Sequence, residues 1–406
     1  MSSASTQLVD AHKVPALARG FLGLMEKIQA GSVELQTPDG DTLNFQGAAA
    51  GPHAVLQIND WSACAAIIRS GDIGVAESYR DQKIDTPDLL SVLMLALANQ
   101  ETMEQTLHGS FLGTVFYRLR HLMNRNTRKG SKKNIHAHYD IGNDFYRQWL
   151  DASMTYSAAI FPEAETSASI ESLELAQHAK YDRLLDQLDV KRGDHILEIG
   201  CGWGALAERA ALRGCYVTGI SLSQEQLAWA QQRVKGTPAE GRTHFKFMDY
   251  RELDGKFDAI VSIEMLEAVG QSYWPTYFSK IKSCLNTGGK AALQTITIAN
   301  DRFDDYRRGT DFIQQYIFPG GMLPSHELLR KEVEAAGMNM GTPFFFGGDY
   351  ATTLRLWRKN FEDQLETIRA QGFDEAFIRI WRFYLCYCEA GFLTRRTDVC
   401  QVMIHA

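Results

Sequence analysis

The stretch His195 to Ala210, HILEIGCGWGALAERA, sets an apolar run, three glycines at alternate positions and a helical pattern in direct succession. His195, Ile196, Leu197 and Ile199 read as a buried parallel strand, and Gly200, Gly202 and Gly204 let the backbone turn sharply and approach a ligand. Helix amides from about Gly204 onward face the same pocket. The chemistry this layout suits is the holding of a nucleotide-type cofactor. The spacing is Gly-x-Gly-x-Gly, whereas a dinucleotide pyrophosphate needs Gly-x-Gly-x-x-Gly at a helix N-terminus, so no pyrophosphate is implied. A tight strand-to-helix turn without a ligand is the plain structural alternative.

The elements that position this turn alternate from Tyr181 onward. Strand patterns at 195–200, 216–220, 245–248 and 257–263 are interleaved with helical patterns at 205–212 and 224–234. A helix near 273–284, the turn Asn286-Thr287-Gly288-Gly289 and a strand at 290–298 continue the series. The expectation is an α/β fold with a doubly wound parallel sheet. Upstream, a helix near 14–28, a hairpin around Pro38-Asp39-Gly40-Asp41 and a strand near 54–58 precede helices at 60–70 and 87–97 separated by GDIGVAESYRD. This reads as a small N-terminal α+β module over 1–122. A basic linker, 123–134, follows, and the larger domain occupies 135–406. Arg118, Arg120, Arg125, Arg128, Lys129, Lys132 and Lys133 occur with no acidic residue among them, which suits either a solvated linker or an anionic phospholipid surface.

The chain has 406 residues, enough for two unequal parts, and a net charge of −7, which disfavours a general nucleic-acid binder. Its seven cysteines are odd in number and lack zinc-ligand spacing, so they read as reduced thiols in a cytoplasmic protein, and no metal site is expected. No segment reads as a signal peptide or a bilayer span, so any membrane contact is expected to be peripheral, at the inner face.

Glu198, before the first glycine, makes the turn resemble motif I of the S-adenosylmethionine-dependent methyltransferases. HYDIGNDFY (138–146), MTYSAAIF (154–161), EIGCGWG (198–204), GISLSQEQ (219–226), YIFPGGMLPS (316–325) and DYATTL (349–354) together resemble the cyclopropane fatty-acyl-phospholipid synthase family, which includes the mycolic acid cyclopropane synthases. The resemblance implies a class I methyltransferase sheet and S-adenosylmethionine as donor. On that basis Tyr156 and Ser157 cover the methionine end, and Gly200, Gly202 and Gly204 form the turn. Ser221, Leu222 and Gln226 sit near the ribose, and Asp249, Tyr250 and Arg251 near adenine.

The implied reaction adds a methyl group to the cis double bond of an unsaturated acyl chain in a membrane phospholipid, and loss of a proton from that methyl closes a cyclopropane. Loss from a chain carbon instead gives a methyl-branched alkene, and a lipid-binding homologue without catalysis is a third reading. A homodimer is expected. The family's base is a bound bicarbonate; Glu267, Ile296 and Tyr350 match its holding residues. The usual cysteine and histidine are replaced by Ala158 and Gln294, and Ala268 stands where a histidine often follows the glutamate. Glu264 adds a carboxylate where the family commonly has glycine, so Glu264 or Glu267, desolvated beside the acyl tunnel, is expected to take over part of the base's role. Phe344 to Phe346, Tyr316 to Phe318 and Trp381 to Tyr387 are candidates for the tunnel wall. Cys388 is expected in a minor catalytic role.

Overall fold

The computed structural model describes residues 14–107, 141–162 and 169–406. The basic segment and both boundaries of the expected linker lie outside the described residues.

The N-terminal part contains α1 (Ala16–Met25), β1 (Ala30–Gln36), β2 (Thr42–Gln46), β3 (Ala49–Ile58), α2 (Ser62–Arg80), β4 (Ile84–Asp85), α3 (Leu89–Ala98) and α4 (Gln100–Leu107). Its four strands lie in the order β2-β1-β3-β4, with the expected β1–β2 hairpin antiparallel and β3 parallel to β1. One expectation is corrected: GDIGVAESYRD does not separate two helices but continues α2. Gly71 (φ 56°) kinks the helix, and Ile73, Ala76 and Tyr79 then recur at helical spacing and are buried.

After α5 (Asn143–Tyr146) and α6 (Ile170–Leu188) come β5 (His195–Ile199), α7 (Ala205–Leu212), β6 (Tyr216–Ser221), α8 (Gln224–Val234), β7 (Thr243–Phe247), β8 (Phe257–Ile263), α9 (Trp274–Cys284) and β9 (Leu285–Ile298). The chain closes with α10 (Phe303–Arg308), α11 (His326–Ala335), β10 (Asn339–Met340), β11 (Phe344–Phe345), α12 (Gly347–Asp363), α13 (Leu365–Ala370), α14 (Glu375–Leu393) and β12 (Thr397–His405). The large sheet runs β10-β12-β9-β8-β5-β6-β7; β5 to β9 are mutually parallel and β12 lies antiparallel to β9. Strand order reverses between β5 and β8, and such a switch point opens a crevice at the carboxyl ends of the strands. Gly200 and Glu264 stand at those two ends.

The two parts share one apolar core. It runs from α1 and the small sheet through α5 and α12 to α14. Arg379 of α14 lies over the Tyr79 ring at 3.7 Å and its Nη2 donates to the Ile84 carbonyl at 3.0 Å. Asp72, just past the kink, accepts from the Phe312 amide at 3.0 Å and the Tyr387 hydroxyl at 2.9 Å.

Candidate active site

The crevice is a cleft continuous with solvent, walled by the segments around Tyr156, Gly200, Ser221, Tyr250 and Glu264. The Gly200 and Cys201 amides both donate to the Ile220 carbonyl at 3.0 Å, which folds the turn against β6. Gly200 (φ 83°) lies so close to Met265 that a Cβ would stand 2.7 Å from its Cγ. Gly202 has open space in that direction and lines the cleft. Gly204 does different work: a Cβ there would be 2.7 Å from the Ala230 Cβ, so its absence lets α7 pack on α8.

Ser221, Leu222 and Gln226 line the cleft, with Ser221 Oγ 3.0 Å from Gln226 Oε1. Ser223 caps α8. Tyr250 is on the wall, but Asp249 commits its carboxylate to Arg251, through Oδ1 to Nε at 2.8 Å and Oδ2 to Nη2 at 2.6 Å. Asp249 and Arg251 thus brace Tyr250. Glu198 Oε2 and the Tyr250 hydroxyl are buried without a hydrogen-bond partner in the protein. Burial raises the proton affinity of Glu198 well above the usual carboxylate range, and Lys180 opposes that shift. Unpartnered polar atoms, a close backbone turn and a mixed wall fit an adenosine-bearing ligand with a polar amino-acid end.

On the opposite wall, Tyr156 sits in an aromatic cluster. Its ring centroid is 5.4 Å from Trp149, 5.5 Å from Trp357 and 6.4 Å from Phe318, and its hydroxyl is 2.7 Å from that of Tyr384. Trp381, its ring centroid 5.8 Å from that of Trp149, and Tyr384 belong to this cluster. Three tunnel candidates do not: Phe344 and Phe345 are exposed on the short edge strand β11, and Tyr316 turns to the N-terminal part, its hydroxyl donating to Glu77 at 2.5 Å.

Next to Tyr156 lies a group of polar contacts centred on Glu264. Its Oε1 accepts from the Ala158 amide at 2.9 Å and Gln294 Nε2 at 2.8 Å; its Oε2 accepts from the Tyr350 hydroxyl at 2.8 Å. Its own amide donates to the Gln294 carbonyl at 2.8 Å. Glu264 has φ 49° and Met154, also on the cleft wall, φ 53°. For side chains with a Cβ this region costs roughly 1–3 kcal/mol, and such strain concentrates at functional sites. Glu267 Oε1 accepts from the Ile296 amide at 2.5 Å and Thr295 Oγ1 at 2.9 Å, while its Oε2 is buried and unpartnered.

The electrostatics separate these two carboxyls. Burial, then repulsion from Glu264, pushes the Glu267 carboxyl up to about 8. Burial also raises Glu264, but three donors and Lys180 act against it. The donors favour the charged form more at Glu264, which has three, than at Glu267, where one carboxyl oxygen is buried and unpartnered. Burial pushes the Tyr350 hydroxyl and the Cys388 thiol upward. Cys388, on α14, is thereby an unreactive thiol, which removes the basis for a catalytic part. The Ala158, Gln294 and Tyr350 donors expected to hold bicarbonate already hold Glu264. The residues present do not fit that anion as well. Among the described residues no cluster suited to a metal ion is found.

Sequence reasoning missed Lys180, Gln177 and Gln401 beneath this site. Lys180 is fully buried on α6, and its Nζ donates to Ser157 Oγ at 2.6 Å and Gln177 Oε1 at 2.7 Å. A lysine on the apolar face set by Leu173, Ala176, Tyr181 and Leu184 was the available signal.

The sheet order, the glycine turn and the cleft at the switch point define a class I S-adenosylmethionine-dependent methyltransferase. The family model described as "Mycolic acid cyclopropane synthetase" matches residues 126–402. The chain is 39% identical over 340 residues to the tuberculostearic acid methyltransferase UfaA1 of Mycobacterium tuberculosis, covering 82% of this chain and 78% of that protein. It is 33% identical to the cyclopropane-fatty-acyl-phospholipid synthase of Escherichia coli K12, covering 83% and 84%. The structure of the mycolic acid cyclopropane synthase CmaA1 complexed with SAH and CTAB superposes with a TM-score of 0.62 at 30% identity, over 68% of this chain and 98% of that one. The chain belongs to the mycolic acid cyclopropane synthetase family, and S-adenosylmethionine is its cofactor.

Proposed function

We propose that this enzyme methylates a carbon of the cis double bond of an unsaturated acyl chain in a membrane phospholipid, and that Glu264 then removes a proton from a neighbouring chain carbon, giving a methyl-branched unsaturated chain. The observation that carries this reading is the Glu264 carboxylate, fixed by three donors in the cleft wall. Bound S-adenosylmethionine supplies the electrophilic methyl group.

The alkene π electrons form the new C–CH3 bond as the S–CH3 bond breaks, leaving positive charge on the adjacent carbon. The electrons of a neighbouring C–H bond restore a C=C, and the proton passes to Glu264. Tyr156, Ser157, Gly200, Gly202, Ser221, Leu222, Gln226 and Tyr250 hold the donor, and the aromatic cluster of Trp149, Tyr156, Phe318, Trp357, Trp381 and Tyr384 excludes water that would trap the cation. Gln294, Tyr350 and the Ala158 amide orient the base. Glu267, its carboxyl pushed by burial up to about 8 and held by the Ile296 amide, adds no second carboxylate beside the base.

Sequence reasoning put the cyclopropane first. A tethered carboxylate in place of a bicarbonate, and a first-named relative called a tuberculostearic acid methyltransferase, move the balance to the branched alkene. Ring closure is the second reading, supported by the similarity to the Escherichia coli cyclopropane synthase. The substrate would be met at the membrane surface; among the described residues no helix is long and apolar enough to cross a membrane. The test is mass spectrometry of lipids from cells expressing the protein. A gain of one CH2 with retained alkene reactivity supports the proposal; a gain that resists hydrogenation to a simple branched chain supports the ring; no gain refutes both.

A further inference from the structure

Lys180 touches nothing that reacts, yet it is a fully buried amine among the carboxylates of the site; burial pushes it down to about 7, and the neighbouring carboxylates act to keep its proton on. Burying an ammonium is expensive unless its charge is answered and its protons are bonded. Two protons go to Ser157 Oγ and Gln177 Oε1, and Nζ lies 4.3 Å from the centroid of the Tyr181 ring. The carboxylates that answer its charge are Glu264 after β8, Asp151 in the loop after α5, and Glu198 on β5. Glu264 in turn faces Lys180, Glu267, Gln294 and Tyr350.

The polar contacts also close a loop. Gln177 Nε2 donates to the Ser157 carbonyl at 2.9 Å, so α6 clamps Ser157 by side chain and backbone together. The next amide, Ala158, donates to Glu264. Gln294 donates to Glu264 and, at 3.3 Å, to the Ala158 carbonyl; Gln401 Nε2 donates to Gln294 Oε1 at 2.9 Å and reaches the Lys180 carbonyl at 3.4 Å. Lys180 therefore acts on Glu264 by two routes, through space as the opposite charge and through Ser157 by placing the Ala158 donor.

We infer that Lys180 is the positioning residue that keeps Glu264 charged, and so available as the base, in a cleft that otherwise favours neutral carboxyls. The inference rests on the proposed role of Glu264 and extends it to a residue that contacts neither donor nor acyl chain. A base works only when deprotonated, so rate falls as pH drops through its titration. Without the buried ammonium, Glu264 holds its proton to higher pH, and that acid limb moves upward.

The experiment measures kcat against pH for Lys180→Met and Lys180→Gln beside the unaltered enzyme, with S-adenosylhomocysteine binding as the check on folding. The expected result is an acid limb displaced upward by roughly one pH unit or more, with Lys180→Gln keeping more of the rate because it can still donate to Ser157. A folded variant whose acid limb does not move overturns the inference. Should neither variant fold, labelled-lysine NMR of Glu264→Gln reads the same coupling from the other side. The Lys180 ammonium then titrates at lower pH than in the unaltered enzyme, and an unchanged midpoint overturns the inference. A Glu264→Gln enzyme that keeps its full rate would instead sink the base assignment, a result distinct from either of these.

Discussion

Replacing Glu264 by glycine and, separately, by glutamine probes the base site from two sides. Glutamine keeps the shape but removes the charge, and its NH2 must face either the Ala158 and Gln294 donors or the Tyr350 hydroxyl. A general base contributes about a hundred- to ten-thousand-fold, so Glu264→Gln is expected to lose that much turnover while S-adenosylhomocysteine binding stays within a few-fold. Glycine suits φ 49° and frees all three donors. Hydrogen bonds to an ion are worth roughly 1.5–3 kcal/mol each, and capturing a free anion costs at least about 4 kcal/mol in lost freedom. A carboxylate-like anion should therefore bind weakly, with an affinity on the order of ten millimolar. Methyl transfer from labelled S-adenosylmethionine to vesicles of a cis-monounsaturated phospholipid, with and without bicarbonate, reads both variants. Glu264→Gly should be slow without bicarbonate and recover with it; Glu264→Gln should not recover. Full turnover of Glu264→Gln in bicarbonate-free buffer would refute the reasoning.

Glu267, pushed up to about 8, binds a proton more tightly folded than unfolded, so its contribution to stability is greatest below about 4.5 and is lost as pH rises towards 8. Melting curves should show Glu267→Gln gaining on the unaltered protein across that window and holding a constant lead above it. Gly204→Ala should cost about 1–3 kcal/mol in denaturant unfolding, because φ is 83° and the new methyl would meet Ala230. Arg379→Met should cost about 3 kcal/mol or more, since the Tyr79 and Ile84 carbonyls lose a buried donor. Cys388→Ala should leave turnover within about two-fold, as the thiol is held protonated by burial.

The strands and helices between 195 and 298 were legible because apolar runs and glycine turns there have unambiguous periods. The path of α2 was not, since Gly71 and Gly74 read as breakers while the tertiary packing of Ile73, Ala76 and Tyr79 keeps the chain helical. Most of the cleft wall was visible as motif residues. That Asp249 and Arg251 pair with each other beside Tyr250 was not legible, because a motif cannot reveal a contact between its own members. Glu264 stood out as a carboxylate at a position commonly held by glycine, but its grip on Ala158, Gln294 and Tyr350 joins four distant segments. That convergence exists only in three dimensions. Lys180 was hidden for the opposite reason, as one of several charged residues on a helix where it alone among them is fully buried.

The most direct test of the account counts deuterium in the product made from S-adenosylmethionine bearing a fully deuterated methyl group and a cis-monounsaturated phospholipid. Proton loss from a chain carbon to Glu264 predicts that all three deuterium atoms remain in the modified acyl chain. Retention of two would mean that the proton left the new methyl group, as a ring or a methylene branch requires, and would contradict the account; an acyl chain without label would contradict methyl transfer to the lipid altogether.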